Sequence, residues 1–282
     1  MDFLLDPFQF DFMIRSLSAA LIVAIVCSIL GTYIVLRGMA FFADALAHTT
    51  LPGVVIAYLI GWPVAVGALI FGILTALGIG WLTDKGQLKE DTAIGVIFAG
   101  FFALGVALLS TTGNYSVDLA HFLFGNLLAV SSSDLWLIAI LAAIVLLTIY
   151  LFYKEFLLIS FDEILGITLR LPIRFLRLLL LVLIAITIVT ALNVVGIALI
   201  LSMFVTPAAT ASLLTKRLPS MMAISALIGT ISAIVGLYAS YYLDIASGAA
   251  IVLVTSIIFL LVFLFAPSQG FVWRTFRTKL VK

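Results

Sequence analysis

Apolar residues run in blocks of about 20 along nearly the whole chain. Short stretches rich in polar residues, glycine and proline divide them. A block of that length is what an α-helix needs to cross the hydrocarbon core of a bilayer. Taken in order, the blocks predict spans near 13–36, 40–60, 63–82, 92–112, 134–153, 174–191, 194–206, 220–243 and 247–266. The expected fold is all-α: a polytopic membrane helix bundle of about nine transmembrane helices. No polar stretch is long enough to fold alone, so residues 1–282 are expected to form a single transmembrane domain. No internal repeat stands out.

Composition supports this pattern. The chain has 282 residues, of which 65% are hydrophobic and 10% charged, and its mean hydropathy is +1.37. Soluble domains of this size are far more polar. A net charge of +1 gives no electrostatic footprint for nucleic acid. Cys27 has no second cysteine to pair with. Asp2, Asp6 and Asp11 stand where a cleavable signal peptide would be basic, so none is expected. The sequence has no GxxxxGK[ST] loop, so the chain is not expected to cradle ATP or to be an enzyme.

Lysine and arginine collect in loops on the cytoplasmic side of a membrane. Arg37, Lys85, Lys89, Lys154, Arg170, Arg174, Arg177, Lys216, Arg217, Arg274, Arg277, Lys279 and Lys282 fall at alternate span ends; only Arg15 disagrees. The loops around Trp62, Asn114, Asn193 and Asp244 have neither residue type. The C-terminus is therefore expected inside and the N-terminus outside. The tail FVWRTFRTKLVK, mixing aromatic and basic residues, has the make-up of an interfacial anchor.

Three stretches carry candidate chemistry. The first is Gly38–Gly53, GMAFFADALAHTTLPG, which places Asp44 and His48 inside an apolar span. A carboxylate at bilayer depth costs roughly 2.5–3.5 kcal/mol on insertion scales. At i, i+4 spacing the two side chains leave one face of a helix a turn apart. They make either half of a divalent-cation site or a hydrogen-bonded pair that locks helices together. The second stretch is 113–133, TGNYSVDLAHFLFGNLLAVSSSD, whose apolar part is too short to cross and return. A re-entrant or mouth-lining segment is expected there. Asp118 and His121 open it, Asp118 either capping a helix or meeting an arriving cation at a gate. The third is Ser160–Pro172, SFDEILGITLRLP. Ser160 and Glu163 match a capping box, and Pro172 ends the helix. This short helix is either an amphipathic connector or a docking element for a cytoplasmic partner, and Gly166 would let a neighbour approach closely. Pro207 is expected to break the seventh span, while Ala208, Ala209, Ala211 and the series Ser225, Gly229, Ala233 suit close helix packing.

The pieces LRGMAFFADALAHTTLPGV, EDTAIGV, VDLAHFLFGNLLAV, SFDEILG and LILSMFVTPAATA lie in order from residue 36 to residue 211. Weaker similarity runs on to the end. Together they resemble the membrane permease subunit of bacterial zinc- and manganese-type ABC importers, the manganese members more closely in wording. The resemblance implies a fold similar to the type II importer permeases for vitamin B12 and iron–siderophores. It implies a homodimer that forms the translocation path, two copies of a separate cytoplasmic ATPase, an extracellular or periplasmic metal-binding lipoprotein, and a place in the bacterial cell membrane among lipid. The cargo would be Mn2+, with Zn2+ or Fe2+ possible, and no permanently bound cofactor. The family's intramembrane ligands fall on Asp44 and His48, with Ala43 where glycine is usual. Its coupling helix falls on Ser160–Pro172, which directs attention to Asp162, Glu163 and Gly166. A single Asp and His are too few to strip a hydrated ion, and a twofold axis would double them. Imidazole with carboxylate suits Mn, Zn and Fe, not Cu(I), Ca or Mg. The alternatives are a proton-coupled secondary transporter working without an ATPase, and a structural membrane protein whose polar pair only joins helices.

Overall fold

In the computed structural model, residues 6–84, 88–111 and 127–266 are described. Twelve α-helices occur among them, and no strand. They are α1 (Asp11–Leu36), α2 (Phe42–Thr49), α3 (Leu51–Ile60), α4 (Val64–Thr83), α5 (Glu90–Thr111), α6 (Ser132–Leu151), α7 (Tyr153–Phe161), α8 (Glu163–Thr168), α9 (Ile173–Val195), α10 (Ile197–Leu214), α11 (Leu218–Leu243) and α12 (Ser247–Phe265). Among the described residues nine segments are long and apolar enough to cross a membrane, with α2 and α3 together forming one of them. All nine expected spans are present as helix. Trp62 and Trp81, near opposite ends of α4, are both exposed, as suits indoles at the two membrane–water boundaries.

Two differences from expectation have simple causes. The seventh span continues through Pro207 to Leu214 instead of stopping near residue 206. Proline removes one backbone bond, to the Met203 carbonyl, and a lipid-embedded helix tolerates that loss when neighbours pack around it. Ala208 and Ala211, just beyond it, are fully buried. The short helix near residue 163 begins at Glu163 and not at Ser160. The Ser160 hydroxyl donates back to the Phe156 carbonyl at 2.7 Å, and the capping acceptor is Asp162, whose Oδ1 takes the Leu165 amide at 3.0 Å. A carboxylate is a cap at least as good as a hydroxyl and also complements the helix dipole. The expected segment 113–133 is described only from Leu127 onward, as a 3-10 turn, Leu127–Ala129, leading to α6. Asp118, His121 and the basic tail lie outside the described residues.

The chain divides into two compact units. One comprises Met1–Val35, Asn126–Ala139 and Ala198–Lys282. In it α1 meets α10 and α11. A Cβ on Gly31 would fall 1.9 Å from the Phe204 carbonyl oxygen, and one on Gly229 would fall 2.4 Å from Ser28 Oγ. The Ser225 hydroxyl donates to the Ser28 carbonyl at 3.0 Å. The small-residue series in α11 is therefore a packing face toward α1.

The other unit comprises Leu36–Gly125 and Ile140–Ile197 and contains the candidate site. Here α4 is central, packed by α2, α3, α5 and α9. Without a hydrophobic force between helices in lipid, close approach of backbones supplies the packing energy. Gly53 of α3 and Gly67 of α4 meet backbone to backbone: a Cβ on either would lie 2.1 Å from the other's carbonyl oxygen. By contrast, Gly100 of α5 has open space around it. Gly53→Ala is expected to destabilise the fold by about 1–3 kcal/mol through overpacking. Gly100→Ala should be neutral, or stabilising by up to about 1 kcal/mol through helix propensity. Thermal unfolding of the detergent-solubilised protein checks the contrast; equal melting temperatures would contradict the close α3–α4 approach.

Candidate functional site

The helix α2 is short because a proline lies just beyond its end. Pro52 has no N–H, so the carbonyl of His48, four residues earlier, loses its helical partner. That carbonyl instead accepts the Thr50 amide, and α2 ends at Thr49. The Thr49 and Thr50 hydroxyls turn back onto the carbonyls of Leu46 and Ala47, at 3.0 and 2.7 Å. A discontinuity inside a membrane span survives only where protein or a polar cavity surrounds it.

On α2, Phe42, Ala43, Ala45, Leu46, Ala47 and Thr49 are buried. Asp44 and His48 occupy the remaining face, with Phe41 a turn earlier. Their side chains are 38% and 30% exposed, and His48 Nε2 lies 3.6 Å from Asp44 Oδ1. That distance is too long for a hydrogen bond. The pair therefore shares a face at ion-pairing distance without a hydrogen bond between them. The buried methyl of Ala43 points away from it, so the family's usual glycine is not needed for the geometry on this side.

Asp44 opens onto a groove of about 260 Å³ between α2 and α5, lined by Phe41, Asp44, Ala45, Asp91, Ile94, Gly95 and Phe98. His48 stands at its edge, its ring edge-on to Phe98 and Phe102 at centroid distances of 6.0 and 5.7 Å. The two rings pack edge-on against the imidazole, and Phe98 also lines the groove. Asp91, which sequence reasoning did not single out, puts a second carboxylate on the same groove. The only signal for it was the acidic pair that opens the span EDTAIGV. Among the described residues no three His, Cys, Asp or Glu side chains come together closely enough to hold a metal ion.

At the basic end of the same unit, ionic contacts join helix termini. Arg177 of α9 donates to both oxygens of Glu163, at 2.6 and 2.5 Å, and to the Thr83 carbonyl at the end of α4, at 3.4 Å. Arg174 pairs with Asp84 at 2.6 Å. Arg37 donates to Glu90, the first residue of α5, and lies 3.6 Å from Glu163. Of the residues expected on the coupling segment, Asp162 caps α8, Glu163 faces this ionic cluster, and Gly166 is buried. A Cβ on Gly166 would lie 2.4 Å from the Ile173 side chain, so its lack of a side chain serves α8–α9 packing within the chain. The outer face of α8 is apolar and bare: Ile164 is 78% exposed and Ile167 66%.

Nine membrane-length segments among the described residues, one of them broken beside a groove that bears two carboxylates, make a polytopic membrane helix bundle. The chain matches the ABC 3 transport family over residues 9–266 and belongs to it; it is a permease of the metal-importing ABC class. It is 48% identical over 268 residues to the manganese transport system membrane protein MntC of Listeria monocytogenes, covering 95% of each chain. A probable iron transport system membrane protein of Haemophilus influenzae is 40% identical, with 97% of each chain covered. The solved structure of PsaBC from Streptococcus pneumoniae in complex with Fab matches with a TM-score of 0.83 and 39% identity, covering 98% of both chains.

Removing the Asp162 cap should loosen α8 without unfolding the bundle. Asp162→Ala is expected to cost about 0.5–2 kcal/mol locally. Hydrogen exchange at the amides of residues 164–168 should accelerate correspondingly, and unchanged protection would show that α9 alone holds the helix.

Proposed function

We propose that the chain imports a divalent transition metal, manganese in preference to zinc or iron, by holding it in passing between Asp44 and His48. The observation that carries this is an acid and an imidazole on one helix face, within ion-pairing distance but not hydrogen-bonded to each other, opening onto a groove. A pair serving only to join helices would be hydrogen-bonded and closed over. A carboxylate and an imidazole together suit Mn, Zn and Fe.

One chain offers too few ligands, so two copies meet across a twofold axis and supply two Asp44 and two His48. The face of α2 and α5 that bears the groove supports this arrangement. Gly95 has open space beyond its Cα there, and lipid against Asp44 would leave its charge uncompensated. The whole chain acts as one permease domain, with its C-terminus in the cytoplasm. The ion arrives from an extracellular or periplasmic metal-binding lipoprotein and first meets Asp118 and His121. Two copies of a cytoplasmic ATPase dock beneath, against the bare apolar face of α8. Exposed isoleucines beside water are costly unless a partner covers them.

Asp44→Ala or His48→Ala should reduce Mn2+ uptake to background while the permease still assembles with its ATPase; normal uptake would refute the ligand role. Ile164→Asp should prevent stable assembly with the ATPase, measured by co-purification. Uptake into proteoliposomes without ATP would favour proton-coupled transport instead. Asp118→Ala should slow capture at low Mn2+ and leave the maximal rate, and unchanged kinetics would return that residue to a capping role.

A further inference from the structure

Arg37 is placed to do more than end a helix. It lies in the turn between α1 and α2, seven residues before Asp44. Its side chain is only 5% exposed. Nη2 serves two carboxylates at once: it donates to Glu90 and lies 3.6 Å from Glu163. Nη1 is buried and has no partner among the described residues; the same is true of Arg177 Nε, on the other side of Glu163. A buried donor left unmade costs about 1–3 kcal/mol. A guanidinium that meets one carboxylate with both of its nitrogens, as a fork, leaves neither donor unmade.

The positions of its two acids give this exchange a consequence. Glu163 is the first residue of α8, the helix with the bare apolar face. Glu90 is the first residue of α5 and is followed directly by Asp91, which lines the groove opposite Asp44. Through Arg37, the starts of both groove helices are joined to α8.

We propose that Arg37 is a positioning residue that converts movement of α8 into a change in the width of the Asp44 groove. While α8 is seated, Glu163 holds the guanidinium between α5 and α8. When α8 is drawn away, Glu163 leaves with it, and Arg37 closes as a fork on Glu90 alone. That draws the start of α5 toward the start of α2. The proposal rests on α8 being the docking helix, and the test separates the two.

The test uses the intact permease–ATPase complex in proteoliposomes, measuring Mn2+ transported per ATP hydrolysed and, separately, equilibrium Mn2+ binding. Arg37→Gln is expected to lower transport per ATP by about tenfold, the size of an ordinary coupling term, while Mn2+ still binds. Arg37→Lys retains the charge but cannot form the fork, and should be uncoupled too. Arg37→Gln combined with Glu90→Gln removes both charges, restores electrostatic balance, and should also stay uncoupled. If either the lysine or the double variant restores transport per ATP, Arg37 only balances charge and the proposal falls. Those two variants also keep the test decisive if Arg37→Gln alone fails to fold. If Ile164→Asp leaves assembly and coupling normal, the docking proposal has failed and the relay with it. If Ile164→Asp disrupts assembly but Arg37→Gln couples normally, the relay alone is overturned.

Discussion

A carboxylate inside an apolar helical span has to be compensated, and Asp44 has His48 3.6 Å away on the same helix face. The rest of α2 packs inward, so its carboxylate and imidazole are left on the single face that opens onto the groove. Pro52 ends the helix one residue past His48 and turns the backbone there. Phe98 and Phe102 hold the imidazole edge-on. The backbone irregularity there is eased by the Thr49 and Thr50 hydroxyls, which turn back onto the Leu46 and Ala47 carbonyls.

The groove is held open by packing elsewhere. Glycines at the α3–α4 crossing bring two backbones into contact, which fixes α3 against the central helix. Gly72 and Gly80 let α9 lie against α4 in the same way, under Val189 and Leu178. Small residues thus set the helix positions, and the larger aromatic side chains of α5 are free to shape the site. At the basic end the ties are ionic. Their geometry there is specific, because single arginine nitrogens meet carboxylates on other helices, Arg37 on Glu90 and Arg177 on Glu163. Ionic ties of this kind exchange partners at modest cost.

The hydrophobic blocks made the helices legible from sequence, because a lipid-crossing helix announces itself by length and composition alone. The Asp44 and His48 pair was legible for a related reason: i, i+4 spacing is local, and polar residues in an apolar run are conspicuous. What stayed hidden was either a competition between local alternatives or a contact distant in sequence. Asp162 and Ser160 are both good caps, and only the backbone geometry decides between them. Pro207 reads as a breaker, yet the helix runs through it because its neighbours are small and buried. Arg37 and Glu90 are 53 residues apart, a separation no periodicity reveals. Asp91 needed the groove itself to connect it with Asp44.

The central claim concerns where the ion sits, so the most direct measurement is the metal content of the purified permease–ATPase complex equilibrated with Mn2+. The account predicts one bound Mn2+ per pair of permease chains at equilibrium, absent when Asp44→Ala and His48→Ala are combined. Mn2+ retained at the same stoichiometry in that double variant would contradict it.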